Sequence, residues 1–326
     1  MEHDQKFKTP GLSTQLFFPP TRSRQNDHIL DAILKPEEVK KRNGVNPTYS
    51  KLQNPKQGVF DNCLFMLTNN DDKRNDLQKK ITDNGGAILE LLEEVVTYKS
   101  TSSGLEIALD HLKDFHFAAV ISSGYCRSAK YLQVLAIGWP VLANSFIYDT
   151  IKLNKLELWP SYLLPAGQLQ VLQTTTSCNT YKFRQNHENS ITLDMQLSNN
   201  RKILGDIHVV VVKGKLEQAK INMDACNFIF HALGAFSLEF TSTLSQAVKK
   251  CTSFIESGEK CLVYVNICSL ETLRSHTNTN ERVKRRKRGG LNSSLNNYEV
   301  DVIDWEWVVQ CVISSHAWSP AARISA

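Results

Sequence analysis

Arg127 and Lys130 are two cations three residues apart at the head of CRSAKYLQVLAIGWP, a segment with the apolar content of a buried helix. That spacing is about one helical turn, so both are expected on one side of the helix N-terminus. The N-terminus of a helix already carries partial positive charge and unpaired amide donors. Cations there oppose the dipole and cost stability. The arrangement makes sense if an anion binds there.

Residues that would carry covalent or metal chemistry are not arranged for it. The chain has no G-x-x-x-x-G-K-[ST], G-x-G-x-x-G, H-E-x-x-H or G-x-S-x-G. The turn Thr68 to Lys73, after the first apolar strand, has no glycine to cradle a nucleotide phosphate. The nine histidines are scattered, and His208 and His231 sit in apolar patterns that read as core. The eight cysteines form no CxxC pair and no zinc spacing. Most lie in apolar runs, such as Cys311 in WVVQCVI, and read as free thiols in a reducing compartment. No enzyme activity, cofactor, metal or small-molecule substrate is expected. No apolar run is long enough to span a bilayer, and MEHDQKFKTP has no apolar signal core, so neither a membrane partner nor secretion is expected.

The net charge of +5 is local. Arg282, Lys284, Arg285, Arg286, Lys287 and Arg288 supply six of the 38 cations, and the remainder nearly balances the 33 anions. A broad DNA-binding face is therefore not implied. The basic run reads first as a nuclear import signal and second as a contact to nucleosomal or free DNA.

The elements that would position Arg127 and Lys130 follow an order that appears twice. Residues 1–57 are polar and Pro-containing and read as an extended lead-in, with one short helix near Asp27 to Leu34. The first unit spans 58–158. Its strands are Cys63 to Leu67, Ala87 to Leu92, Phe117 to Ile121 and Val141 to Ala143. Its helices are Asp72 to Asn84, a short one near Leu105 to Leu112, the one from Arg127, and one from Ser145. A linker covers 159–203. The second unit, 204–326, has strands at Ile207 to Val212, Ala235 to Phe240, Cys261 to Ile267 and Val300 to Ile303. Its helices are Leu216 to Leu233, Ser242 to Glu256, one starting at Ser269 and Trp305 to Ser314. An insertion at 277–297 holds the basic run. Apolar strands without alternation imply burial on both faces. The expected fold class is α/β: two tandem units, each a four-stranded parallel sheet flanked by helices, packed through helices.

This duplicated β-α-β-β-α-β-α unit resembles the BRCT repeat, with Gly85-Gly86 after the first helix and Trp307 in WVVQC at that family's characteristic positions. CR-x-x-KY at Cys126 to Tyr131, the short strand after Gly-Trp-Pro, and YLLPAG at Tyr162 to Gly167 are more specific. They resemble the tandem BRCT pair that ends the DNA-damage checkpoint mediators, the fungal adaptors and their vertebrate chromatin-reading counterpart, and the budding-yeast adaptor most. The detailed resemblance covers about Asn62 to Gly167 and is topological beyond Leu204. Two departures stand out. Phe146 occupies the usual place of a Trp. Thr68-Asn69 stands where many phosphate-binding repeats have Ser-Gly or Thr-Gly, and Gly allows a closer approach to the backbone.

The resemblance implies a phosphate pocket of Thr68, Asn69 and Lys130, with Arg127 holding the peptide main chain or its terminal carboxylate. Hydroxyl, amide and ammonium together suit a dianion. The peptide would cross the seam between the repeats, its third position after phosphoserine met by Asn266, Cys268 or Val309. The implied partner is a phosphoserine peptide, above all the phosphorylated C-terminal tail of the damage-marked histone, on chromatin in the nucleus. The alternative is self-association into a homodimer, or phospho-independent binding, by the same nuclear adaptor.

Overall fold

The computed structural model describes residues 58–98, 105–108, 110–113, 115–156, 158–170, 173–177, 193, 197, 202–213, 223–265, 299–320 and 322–325. The lead-in, the helix expected from Ser269, the basic run 282–288, Asn266 and Cys268 lie outside these residues.

Strand β1 (Cys63–Thr68) is buried along its whole length, as its unbroken apolar run requires. Helix α1 (Arg74–Asp83) buries only Leu77 and Ile81, four apart, against the sheet. Strand β2 (Ala87–Leu89) is shorter than its apolar run, which turns into a 3-10 segment at Leu92–Glu94. Strands β3 (Val96–Tyr98) and β4 (Leu105–Ile107) form a small antiparallel ribbon, followed by the single turn α2 (Asp110–Lys113). The helix expected near Leu105 to Leu112 is thus a strand first. Leu105 and Ile107 are buried while Glu106 between them is not, a period of two. Strand β5 (Phe117–Ser122), helix α3 (Ala129–Ile137), strand β6 (Val141–Ala143) and helix α4 (Ser145–Leu153) complete the unit. Its sheet is all parallel, in the order β2-β1-β5-β6.

The expected linker contains a hairpin, β7 (Pro165–Leu169) with β8 (Thr174–Ser177). Its approach is pinned to the first unit. Leu164 N–H donates to Val141 O at 2.9 Å, and Tyr131 O–H donates to Pro165 O at 2.6 Å.

The second unit repeats the pattern with β9 (Ile207–Val212), α5 (Met223–Ala232), β10 (Ser237–Thr241), α6 (Leu244–Glu256), β11 (Lys260–Tyr264), β12 (Glu299–Ile303) and α7 (Trp305–Ser314). Its sheet order is β10-β9-β11-β12, parallel throughout, the same sequence of positions as in the first sheet. Strand β13 (Ala322–Ser325) adds a fifth, antiparallel edge that the apolar pattern does not announce.

The units dock by helices: α3 packs against both α5 and α7, and α7 also packs against β7. One apolar core runs through this seam, joining Leu132 and Leu135 to Phe228, Ile229, Trp307 and Val308. A second cluster lies under α6, around Val210, Ala247, Cys251 and Val263.

The Gly85-Gly86 pair has two separate reasons. Gly85 has φ +88°, the left-handed region that ends the turn after α1. Gly86 lacks room: a Cβ there would sit 2.6 Å from Ile81 Cγ2 and 3.1 Å from Phe60 Cβ. Gly86→Ala should therefore lower folding stability by about 1–3 kcal/mol, the usual cost of overpacking. Urea denaturation checks this; an unchanged midpoint would show that Ile81 moves aside freely. Phe146, which stands where the repeat it resembles usually has a Trp, is fully buried. Its ring lies 5.5–6.5 Å from those of Phe60, Phe65, Phe117 and Tyr162, so the smaller aromatic still fills its site.

Candidate functional site

Thr68 closes β1 and is buried, with its hydroxyl 3.0 Å from Ser128 Oγ. Ser128 is the N-cap of α3, and its Oγ accepts from Tyr131 N–H at 3.3 Å. One serine thus joins the C-terminal end of β1 to the start of α3. Lys130, two residues on, lies in the first turn of α3. Thr68 and Ser128 are therefore in contact, and the backbone of Lys130 follows within the same turn.

Asn69 follows Thr68 with φ +53°, and it is exposed. Asn tolerates this left-handed conformation better than most side chains. The backbone bend that glycine would supply is kept, although the close approach glycine allows is not. Ser123 Oγ donates to Asn69 O, which holds the bend against the end of β5. Next to it, Asn70 is buried and donates its Nδ2 to Ile121 O at 2.7 Å. Its Oδ1 has no hydrogen-bond partner among the described residues.

Arg127 and Lys130 do not share one face. Because Ser128 caps α3, Arg127 lies outside the helix, and the two cations diverge. Arg127 Nη1 reaches across the seam to Glu306 Oε2 at 2.8 Å. Lys130 Nζ faces Glu90 Oε2 at 3.7 Å. Val309 is 1% exposed and belongs to the core, so it does not present itself to a peptide.

Three further participants are not among the residues that the sequence singles out. Ser128 carries a signal, since a serine directly before an apolar helix is a common N-cap. Arg74, the first residue of α1, donates from Nη1 to Leu67 O at 3.0 Å, which fixes its guanidinium beside the end of β1. Its Nη2 meets Glu90 Oε2. Neither Arg74 nor Glu90 has a local pattern that marks it. Glu93 and Glu94 lie close to Glu90. The carboxyl of Glu94 is raised above its usual range by burial first, then by the charges of Glu90 and Glu93, with Lys130 opposing.

At the seam, Glu306 also accepts from Gln310 Nε2 at 2.8 Å, and Gln310 Oε1 accepts from Gln170 N–H at 3.1 Å. Burial pushes the Glu306 carboxyl above its ordinary value of 4.5, against the pull of Arg127. A raised acid favours the fold while protonated. Its contribution is complete below pH 4.5 and is lost as pH rises through the folded value. Glu306→Gln should remove that loss, giving a thermal midpoint that falls less than the parent's from pH 4.5 towards neutrality. Parallel profiles for the two proteins would mean that Arg127 compensates the carboxylate fully.

Among the described residues no cluster of His, Cys, Asp and Glu could hold a metal ion. His208 is buried, shares a 2.7 Å contact between Nδ1 and Ser237 Oγ, and stacks on Phe254. Both are structural roles.

Two parallel α/β units of equal strand order, docked through helices, match the tandem architecture expected from the resemblance to the BRCT repeat. The chain's sequence is similar to that of two DNA repair proteins. It is 30% identical over 188 residues to DNA repair protein RAD9 of Saccharomyces cerevisiae, covering 49% of this chain and 14% of that protein. It is 24% identical over 193 residues to DNA repair protein crb2 of Schizosaccharomyces pombe, covering 54% of this chain and 24% of that protein. The chain thus spans a minor part of either relative's length. No family model matches it. Two solved structures align with most of the chain. The BRCT5-BRCT6 domains of S. pombe Brc1 are 15% identical with a TM-score of 0.39, over 78% of this chain and 93% of theirs. The complex of Rtt107p with a phosphorylated histone is 10% identical with a TM-score of 0.40, over 83% of this chain and 96% of that one.

Proposed function

We propose that this chain is a phosphopeptide-binding adaptor module of DNA-damage checkpoint signalling, acting in the nucleus on chromatin. Its ligand is the phosphorylated C-terminal tail of the damage-marked histone. The observation that carries this reading is the contact of Thr68 with Ser128 where β1 ends and α3 begins, with Lys130 in the first turn of α3. Hydroxyls, the backbone N–H of Asn69 and an ammonium are the donors a phosphate dianion needs. Arg127 lies at the seam, where a peptide leaving the pocket towards the second unit would pass, and holds its main chain or terminal carboxylate. Similarity to two DNA repair proteins supports the setting.

Titration of the whole chain with a phosphorylated histone-tail peptide and its unphosphorylated twin tests this. The phosphorylated peptide should bind at least roughly tenfold tighter, as about 1.4 kcal/mol of charge-assisted hydrogen bonding implies. Equal affinity would remove phosphate recognition and leave phospho-independent association as the use of the module.

A further inference from the structure

The positive end of the pocket already holds an anion. Glu90 Oε2 lies 2.5 Å from Arg74 Nη2 and 3.7 Å from Lys130 Nζ. These cations come from the starts of two different helices, α1 and α3. Arg74 is fixed by Leu67 O, one residue before Thr68, and Lys130 follows the serine that touches Thr68. A single carboxylate oxygen therefore sits between the two cations that flank Thr68. That is where an oxygen of a bound phosphate would draw on both charges.

We infer that Glu90 is a specificity-determining residue of this site: it is the resident counter-ion of Arg74 and Lys130, which an anionic ligand must displace, so that a single negative charge on the ligand gains nothing over none while a dianion still does. The inference rests on the phosphopeptide reading above. If an incoming carboxylate displaces Glu90, one monoanion replaces another and the Coulomb energy of the two cations is nearly unchanged. A phosphoserine carries about −1.5 to −2 at neutral pH, so the same exchange gains about half to one further charge. Glu90 can leave, because its side chain is 36% exposed and stands at a bend just past β2. Arg74 stays in place without it, held by Leu67 O.

The test uses the whole chain and three forms of the histone-tail peptide: phosphoserine, serine, and glutamate in place of phosphoserine. Fluorescence anisotropy is measured for the parent protein and for Glu90→Gln, Glu90→Ala and Lys130→Met, each with its melting midpoint. In the parent, the glutamate peptide should bind no tighter than the serine peptide. In Glu90→Gln and Glu90→Ala, it should bind roughly twofold to fivefold tighter than serine, the worth of a partly exposed ion pair. The phosphopeptide should gain by a similar factor. The alanine variant guards against a new hydrogen bond from the glutamine amide. A parent that already prefers glutamate to serine would overturn the inference. So would Glu90 variants, folded, that weaken the phosphopeptide: Glu90 would then hold Arg74 and Lys130 in position. In both cases a loss of phosphopeptide binding in Lys130→Met keeps the site itself. If Lys130→Met binds like the parent, the site and the inference fail together.

Discussion

Trp307→Ala should cost about 3–5 kcal/mol of folding stability, the range for deleting a large buried aromatic. Total stability of such a chain is of order 5–15 kcal/mol, so this is a large share of it. The indole is 6% exposed and lies in the core that joins the two units. Its Nε1–H donates to two carbonyls beyond its own helix, Trp318 O at 3.0 Å and Ser319 O at 3.1 Å. The substitution therefore leaves a cavity and two unpaired acceptors, and it frees the segment that leads into β13. Trp307→Phe separates these terms. It keeps most of the packing and loses only the donor, which should cost about 0.5–1.5 kcal/mol beyond the small volume change. Urea denaturation of the three proteins measures both. A loss below about 1 kcal/mol for the alanine variant would show that α7 is not held by this residue. Because α7 also carries Glu306 and Gln310, a loosened α7 should weaken the seam as well.

What can be read in the sequence is local. The strands β1, β5 and β6 stand as unbroken apolar runs, and α7 begins and ends where its apolar spacing does. The repetition of the order is visible for the same reason. The features that escape depend on partners far away in the chain. The hairpin β7–β8 and the edge strand β13 are short and carry few apolar residues, so their pairing leaves no period to detect. Arg127 stands out as a cation, but its partner Glu306 is 179 residues away and Ser128 turns it off the helix. The spacing rule of one helical turn presumes that both residues are helical, and the cap removes one of them. Glu90 is the sharper case. A glutamate after a short strand looks like any surface acid until the fold brings Arg74 and Lys130 to the same oxygen.

Lys130→Met should weaken phosphopeptide binding by about 1.5–3 kcal/mol, the worth of a hydrogen bond to a charged group. That is roughly tenfold to a hundredfold in affinity. Stability should change by less than about 1 kcal/mol, since the interaction lost in the free protein is a partly exposed ion pair at 3.7 Å. Arg74 continues to hold Glu90. Methionine keeps the length and the helix propensity of lysine, so α3 itself is not disturbed. Thr68→Val should act in the same direction with a different profile. It removes the hydroxyl proposed to meet the phosphate, but it also breaks the contact with Ser128 in a buried place, so a stability loss of about 1 kcal/mol should accompany the loss of affinity. Titration together with melting distinguishes the two. Affinity that falls without a fall in stability identifies Lys130 as a ligand-facing charge, whereas a parallel fall identifies a structural residue. Unchanged affinity in both variants would place the phosphate elsewhere. The end of β1 and the start of α3 would then be only a packed joint between strand and helix.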